Sequence, residues 1–303
     1  MSKISINKKV GFFTGDTNLG YVKNNNEIIL IDTGCNRKTT NFVCNFIKEN
    51  NLNLIAIINT HSHADHCGEN YYYREIFNPI IYADEKESIF IENPQLKVNS
   101  QFLGANAPNR IKNKFVFSNP CTVDIKLSSD IKKIKVKDFE FELIRNEGHS
   151  YGHLSILYDN VIFGGDLVIS EEILNKHKLS FYINIDSLIE GLNLIKNYSN
   201  YLYVPSHGNI IKDLHKTVDL NINRIKDIND IIINIFINNK NKLSFEELYK
   251  KIFEKLNLKN STPTEYYFNI TTINAHISSL INNKKIKIIM DNLIKLKAGD
   301  NLC

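Results

Sequence analysis

Short apolar runs alternate with amphipathic ones along the first two hundred residues. "GYVKNNNEIILIDTG" (20–34) places two apolar runs around the polar stretch "KNNNE", which predicts two strands joined by a turn and closed at Gly34. "RKTTNFVCNFIKENN" (37–51) spaces Phe42, Val43, Phe46 and Ile47 as one helical stripe. "LNLIAIIN" (52–59) is a continuous apolar run, the pattern of a strand buried on both faces. "EIFNPIIYADEKESIF" (75–90) predicts a strand and then a helix. "IKVKDFEFELIRN" (134–146) and "SILYDNVIFGGD" (155–166) are two further strand regions. "DSLIEGLNLIKNYS" (186–199) has the pattern of an amphipathic helix, and "LYVPSHG" (202–208) that of a strand ending in a loop. Residues 91–120 show no clear period and are rich in Pro and Asn. A long irregular segment inside a compact domain is usually functional, so this one is expected to be a loop on the substrate side.

After His207 the pattern becomes helical. Residues 213–240 read as one long helix. "SFEELYKKIFEKL" follows with Ser244 as N-cap and Glu247 three residues on, a capping box. Residues 263–285 hold a third helix, and "KIKIIMDNLIKLKAG" predicts a hairpin turning at Asp291–Asn292. Three helices and a hairpin are the order of a winged helix. Two domains are therefore expected, 1–212 and 213–303.

Composition adds bounds. A chain of 303 residues, 43% hydrophobic and 23% charged, can bury one large core and carry a small second domain. No stretch approaches the ~18 to 20 apolar residues of a membrane helix, and the start "MSKISINKKVGFF" has no apolar core of a signal peptide. Five scattered cysteines without a C-x-x-C pair argue against a disulfide framework or a thiolate zinc site, so a cytoplasmic location is expected. From Asp213 onward 14 basic side chains face 10 acidic ones, which carries the whole net charge of +4. That excess is the only charge-based argument for nucleic acid, and a solvated basic surface explains it as well.

The chemistry concentrates in "NTHSHADHCGE" (59–69), directly after the apolar run. His61 and His63 are two residues apart and face the same way in an extended segment. Asp65 and His66 follow where the chain turns into Gly68. Imidazole with carboxylate suits Zn²⁺ and its neighbours. Matching pieces come later, each at a strand-to-loop edge: His149 and His153 in "EGHSYGH", Asp166 in "FGGDLV", and His207 in "VPSHGN". Such edges converge in sheet-based sites.

In this order, H-x-H-x-D-H, G-H-S, G-D and S-H-G resemble the metallo-β-lactamase-fold hydrolase superfamily, and "ILIDTG" resembles its early strand and turn. The resemblance spans roughly residues 10 to 212. It implies an α/β fold, an αββα sandwich with a two-metal site at one edge. By the same resemblance His61, His63 and His149 hold one metal, Asp65, His66 and His207 the second, and Asp166 bridges the two; Asp65 and Asp166 carry the catalytic roles. Two Zn²⁺ ions ~3.5 to 4 Å apart would deprotonate a shared water near neutral pH, and that hydroxide attacks a carbonyl or phosphorus. No Ser or Cys nucleophile is then needed. Cys67 is read as a packed turn residue, Asp32 as an orienting or turn residue, and His153 as structural. His177, His215 and His276 fall outside the motif.

Departures from the family pattern narrow the reading. Thioesterases of the superfamily often continue the first motif as D-H-x-G-G, where this chain has Glu69 in "DHCGEN". The β-lactamases proper usually lack the full motif with its bridging Asp, and the diiron flavoproteins usually have Glu where His63 stands. A hydrolase core followed by a winged-helix tail resembles the lactamase-beta-like-2 type of endoribonuclease, with "INAHISSLINNKKI" as the best-matching part. The third helix carries Asn, Ser and Thr without arginine, a poor set for reading a major groove. The expected function is a binuclear zinc hydrolase acting on a small-molecule ester or thioester, of glyoxalase-II-like type. The alternatives are endonucleolytic cleavage of single-stranded RNA, an iron-dependent persulfide dioxygenase, and a non-catalytic metal-dependent regulator. Zn, Fe and Mn all suit the ligand set. A small-molecule partner is expected, nucleic acid is not favoured, no membrane partner is expected, and a homodimer is compatible with the sequence.

Overall fold

The computed structural model describes residues 1–239, 242–291 and 293–298. Two sheets face one another. The first has seven strands in chain order: β1 (Lys3–Ser5), β2 (Val10–Phe13), β3 (Leu19–Asn24), β4 (Glu27–Ile31), β5 (Asn53–Ile58), β6 (Ile80–Asp84) and β7 (Ile125–Leu127). β1 to β4 form an antiparallel meander, and β4 to β7 run parallel. The second sheet orders β12 (Leu202–Val204), β11 (Val161–Phe163), β10 (Leu154–Tyr158), β9 (Phe139–Arg145) and β8 (Lys133–Val136). The two predicted strand regions of this sheet are hairpins. Each turns where Lys137, or Asp159 and Asn160, adopt positive φ, a conformation Asn and Asp tolerate best among non-glycine residues.

Between the sheets lies a core of alternate side chains, including Phe12, Ile29, Ile31, Ile58, Phe139, Phe141, Ile156 and Phe163. The other faces are covered by helices. On the first sheet these are α1 (Arg37–Glu49), α3 (Asn70–Phe77) and α4 (Glu85–Glu92), with Val43, Ile47, Tyr73 and Ile91 inward. β5 is covered on both sides, which explains its unbroken apolar run. The second sheet is covered by α7 (Ile185–Ile195) and the first half of α8 (Leu214–Asn238), with the short α6 (Glu171–Lys176) beside α8. The αββα sandwich is present.

Two expectations need correction. Residues 91–120 are not one irregular loop, because Pro94–Gln101 form a helix, α5. Its low amphipathicity hid it, while Pro94 in the first turn, where no N–H is needed, starts it. In α1 the buried stripe is Thr39, Thr40, Val43, Cys44 and Ile47, and Phe42 is exposed.

Beyond the sandwich, α8, α9 (Phe245–Leu256), α10 (Pro263–Asn282), β14 (Ile286–Asp291) and β15 (Leu293–Ala298) occur in the expected order. β13 (Lys242–Ser244) adds a third strand beside β15, and the capping box of Ser244 and Glu247 is formed. Asn292, at the predicted turn, and Cys303 lie outside the described residues. α8 joins the two regions. Its Val218, Ile222 and Ile225 pack on the second sheet's helix layer, whereas Ile228, Ile232 and Phe236 pack with α9 and α10. α10 touches three clusters through Ala275, Ile273 with Ile277, and Tyr267.

Candidate metal centre

The motif residues all follow strand ends at one edge of the sandwich. His61 comes three residues after β5, His149 four after β9, and Asp166 and His207 three after β11 and β12. At this edge the sheets are tied together by Leu154 N–H donating to Thr60 O at 2.9 Å and Asn18 N–H donating to Ser206 O at 2.7 Å. A four-residue helix, α2 (Ala64–Cys67), starts just after His63. The change from extended to helical backbone therefore divides the motif, with His61 and His63 before the helix and Asp65 and His66 inside it. Gly148, at φ +120°, admits the backbone of α7: a Cβ there would sit 2.5 Å from Leu188 N.

The seven predicted residues converge as two groups, His61, His63, His149 and Asp166, and Asp65, His66 and His207. Nε2 of His149 lies 2.8 Å from Nδ1 of His63 and 3.2 Å from Nε2 of His61, which itself lies 2.9 Å from His63 Nδ1. Asp166 faces both groups. Its Oδ2 is 3.5 Å from His149 Nε2 and 3.4 Å from His66 Nε2, and its Oδ1 is 3.5 Å from His207 Nε2. Asp65 Oδ2 is 3.4 Å from His207 Nε2 and 3.8 Å from His66 Nε2.

Outer contacts fix which ring nitrogen carries a lone pair. A carbonyl can only accept, so His149 Nδ1 donates to Phe181 O at 3.1 Å and His207 Nδ1 to Asp16 O at 2.8 Å. His66 Nδ1 donates to the carboxylate of Asp32 at 2.8 Å. The Thr60 hydroxyl donates to Asp32 Oδ2 at 2.7 Å and so accepts from His61 Nδ1 at 3.1 Å. Four imidazoles thus point Nε2 into one volume, and among the described residues buried His66 Nε2 finds no hydrogen-bond partner there. Imidazole and carboxylate ligand atoms converging in this way fit a divalent metal, whose binding would displace the protons these rings carry.

The electrostatics divide in the same way. Burial pushes His61, His63 and His149 below the usual imidazole range, which leaves them neutral and ligand-ready. Burial also opposes charge on His66, but Asp166, Asp65 and Asp32 outweigh it and lift the ring to about 10. His207 is raised well above the usual range because Asp166 and Asp65 overcome its burial. Burial would raise Asp166, yet His207 and His66 hold it well below the carboxylate range.

The structure also gives the secondary residues their places. His153 accepts from Asp166 N–H at 3.0 Å and donates through Nδ1 to Asn146 Oδ1 at 2.5 Å, so it holds the Asp166 backbone. Asp32 orients His66 and Thr60, as the sequence suggested. Cys67 is packed, with Sγ 3.4 Å from Ser62 O, and burial pushes its thiol up to about 12. His215 is exposed and lies 3.3 Å from Asp219. His177 is exposed, and His276 is buried in α10. Thr60, Asn146, Glu87, Lys97 and Phe181 escaped the sequence reading. They lie in no motif, and Lys97 stands in the stretch without a period.

The metallo-β-lactamase superfamily model matches residues 13–207. The chain belongs to the metallo-β-lactamase superfamily. A protein named probable metallo-hydrolase from Methanocaldococcus jannaschii is 30% identical over 187 residues, 60% of this chain and 83% of that one. In fold, the chain is similar to a metallo-β-lactamase family protein from Thermus thermophilus (TM-score 0.72, 15% identity, 93% of each chain covered). It is also similar to a β-lactamase domain protein from Burkholderia ambifaria (TM-score 0.75, 13% identity, 98% of this chain and 93% of that one). Both likenesses extend past the sandwich into the C-terminal region, since each covers more than nine-tenths of the chain.

Proposed function

We propose that this protein is a hydrolase using two zinc ions, acting on a small-molecule ester or thioester. One observation carries the reading: the carboxylate of Asp166 faces both histidine groups at 3.4 to 3.5 Å. In this reading His61, His63 and His149 hold one ion, Asp65, His66 and His207 the other, and Asp166 both. The ions supply Lewis-acid polarisation and a nucleophilic water at neutral pH. The chain's own residues do the rest. Asp32, Thr60 and the carbonyls of Phe181 and Asp16 hold four imidazoles in the binding tautomer. Asp65, at the solvent-facing side with 22% of its side chain exposed, is placed to accept a proton from incoming water and orient it. Two further features favour a small substrate. The cavity beside His63 and His149 is narrow, with Phe90, Tyr151 and Phe181 in its walls. α10, the helix a nucleic-acid reader would present, has nine buried positions, including Ile273, Ala275 and Ile277.

The test is an assay of the zinc-loaded protein on S-lactoylglutathione and on single-stranded RNA. Thioester cleavage that falls by at least ~10³-fold in Asp166→Asn supports the reading. RNA cleavage without thioesterase activity overturns the substrate class. One iron per chain, with oxygen consumed on a persulfide, overturns the di-zinc hydrolase altogether.

A further inference from the structure

Beside the metal centre lies a cavity of about 40 Å³ whose polar lining includes Lys97, Ser62 and Ser150. Lys97 reaches it from α5 and is only 7% exposed. Its ammonium has three N–H groups but one hydrogen bond, to Ser62 Oγ at 3.1 Å. Glu87 is the carboxylate whose field acts most on it. Yet both Glu87 oxygens already accept backbone N–H groups, from Ser62 at 2.8 Å and Gly152 at 2.7 Å. Among the described residues no carboxylate comes within 4.0 Å of the ammonium. Ser150 supplies a second, independent sign: its hydroxyl is buried and, among the described residues, has no hydrogen-bond partner. Buried donors left open are costly, and here they line the same cavity as two of the histidines, His63 and His149. Burial holds Lys97 down to about 8, so it is still mainly charged at neutral pH.

A small, negatively charged acceptor would satisfy both groups. We propose that this cavity is a carboxylate subsite, in which Lys97 Nζ and Ser150 Oγ hold a carboxylate of the substrate a few bonds from the group that reacts. The substrate is then a small organic acid bearing a second, hydrolysable acyl group. The position of the reacting bond rests on the hydrolase reading above, whereas the subsite itself rests on the cavity.

Two measurements on the metal-loaded full chain test it. Ligand-observed NMR compares butyrate with neutral butyramide on the wild type, Lys97→Met and Ser150→Ala. Butyrate is expected to bind at least tenfold tighter than the amide, with that preference lost in Lys97→Met and reduced several-fold in Ser150→Ala. Ser150→Ala keeps the test open if Lys97→Met fails to fold, because removing a hydroxyl without a partner strands no other group. Equal binding of acid and amide, or an acid preference untouched by both variants, overturns the subsite; the latter places the carboxylate on the metals. Turnover then compares monomethyl with dimethyl succinate. The ratio of their kcat/KM values is expected to favour the acid and to fall at least tenfold in Lys97→Met. Equal losses on both esters would make Lys97 only the counter-charge of Glu87. If the wild type turns over neither ester, the binding result alone decides the subsite, and the hydrolase reading stands or falls on the thioester assay.

Discussion

Asp32 accepts three hydrogen bonds, from Thr60 N–H, the Thr60 hydroxyl and His66 Nδ1–H. It does so from a left-handed backbone position, φ +62°, so the turn after β4 exists to aim that carboxylate. Asp32→Asn keeps the shape but turns an N–H toward a donor. Metal affinity at the His66 side is expected to fall by about 10- to 100-fold, read by competition with a chromogenic chelator. His276 permits a different residue-level test. Burial holds it down to about 3, Nδ1 meets Asn229 Oδ1 at 2.8 Å, and Nε2 has no hydrogen-bond partner among the described residues. An unfolded histidine binds its proton near 6.5. Between that value and about 3 the unfolded chain therefore holds a proton that the folded chain refuses. The stability contributed by neutral His276 is complete above pH 6.5 and erodes as pH falls, by up to ~1.4 kcal/mol per pH unit. His276→Asn can still face Asn229 and does not ionise, so its Tm should fall less steeply from pH 7 to 4 than that of the wild type.

At the scale of elements, the loop between β11 and Asp166 is tightly constrained. Gly165 has φ +57°, and a Cβ there would sit 2.3 Å from His153 Nε2. That nitrogen is the acceptor for Asp166 N–H. Gly165→Ala should displace Asp166 and cost most of the bound metal while the far-UV spectrum is preserved, as metal analysis with circular dichroism would show. Ser244→Ala, far from the site, removes one half of the capping box of α9. It should cost about 0.5–2 kcal/mol in chemical unfolding and leave metal content intact. Strands and caps were legible because their signals are local: alternation, turn residues, a Ser three before a Glu. α5 was not, since its buried Val98 and Lys97 are set by contacts with the site and with Ala107 and Ile111, not by a periodic stripe.

At the scale of the molecule, α8 is shared. A boundary at 212/213 falls just before it, but its first half covers Leu188, Leu192 and Tyr203 of the sandwich. A chain ending at Lys212 loses Val218, Ile222 and Ile225 from that cluster. It should aggregate or melt well below the full chain, as solubility and thermal unfolding would report; a stable, metal-binding fragment would show that the sandwich folds on its own.

The sequence by itself marked the strands and helices that carry a clear apolar period, and its motifs singled out the seven side chains that meet at one edge. The first follows from a short-range rule, the period of apolar positions, and the second from the resemblance of the motifs to a known family. Only the tertiary structure decided which nitrogen each histidine presents, because that depends on carbonyls and carboxylates up to 191 residues away. It alone put Lys97 beside His63 and packed α10 into the core. Those contacts join segments distant along the chain, and no local pattern records them.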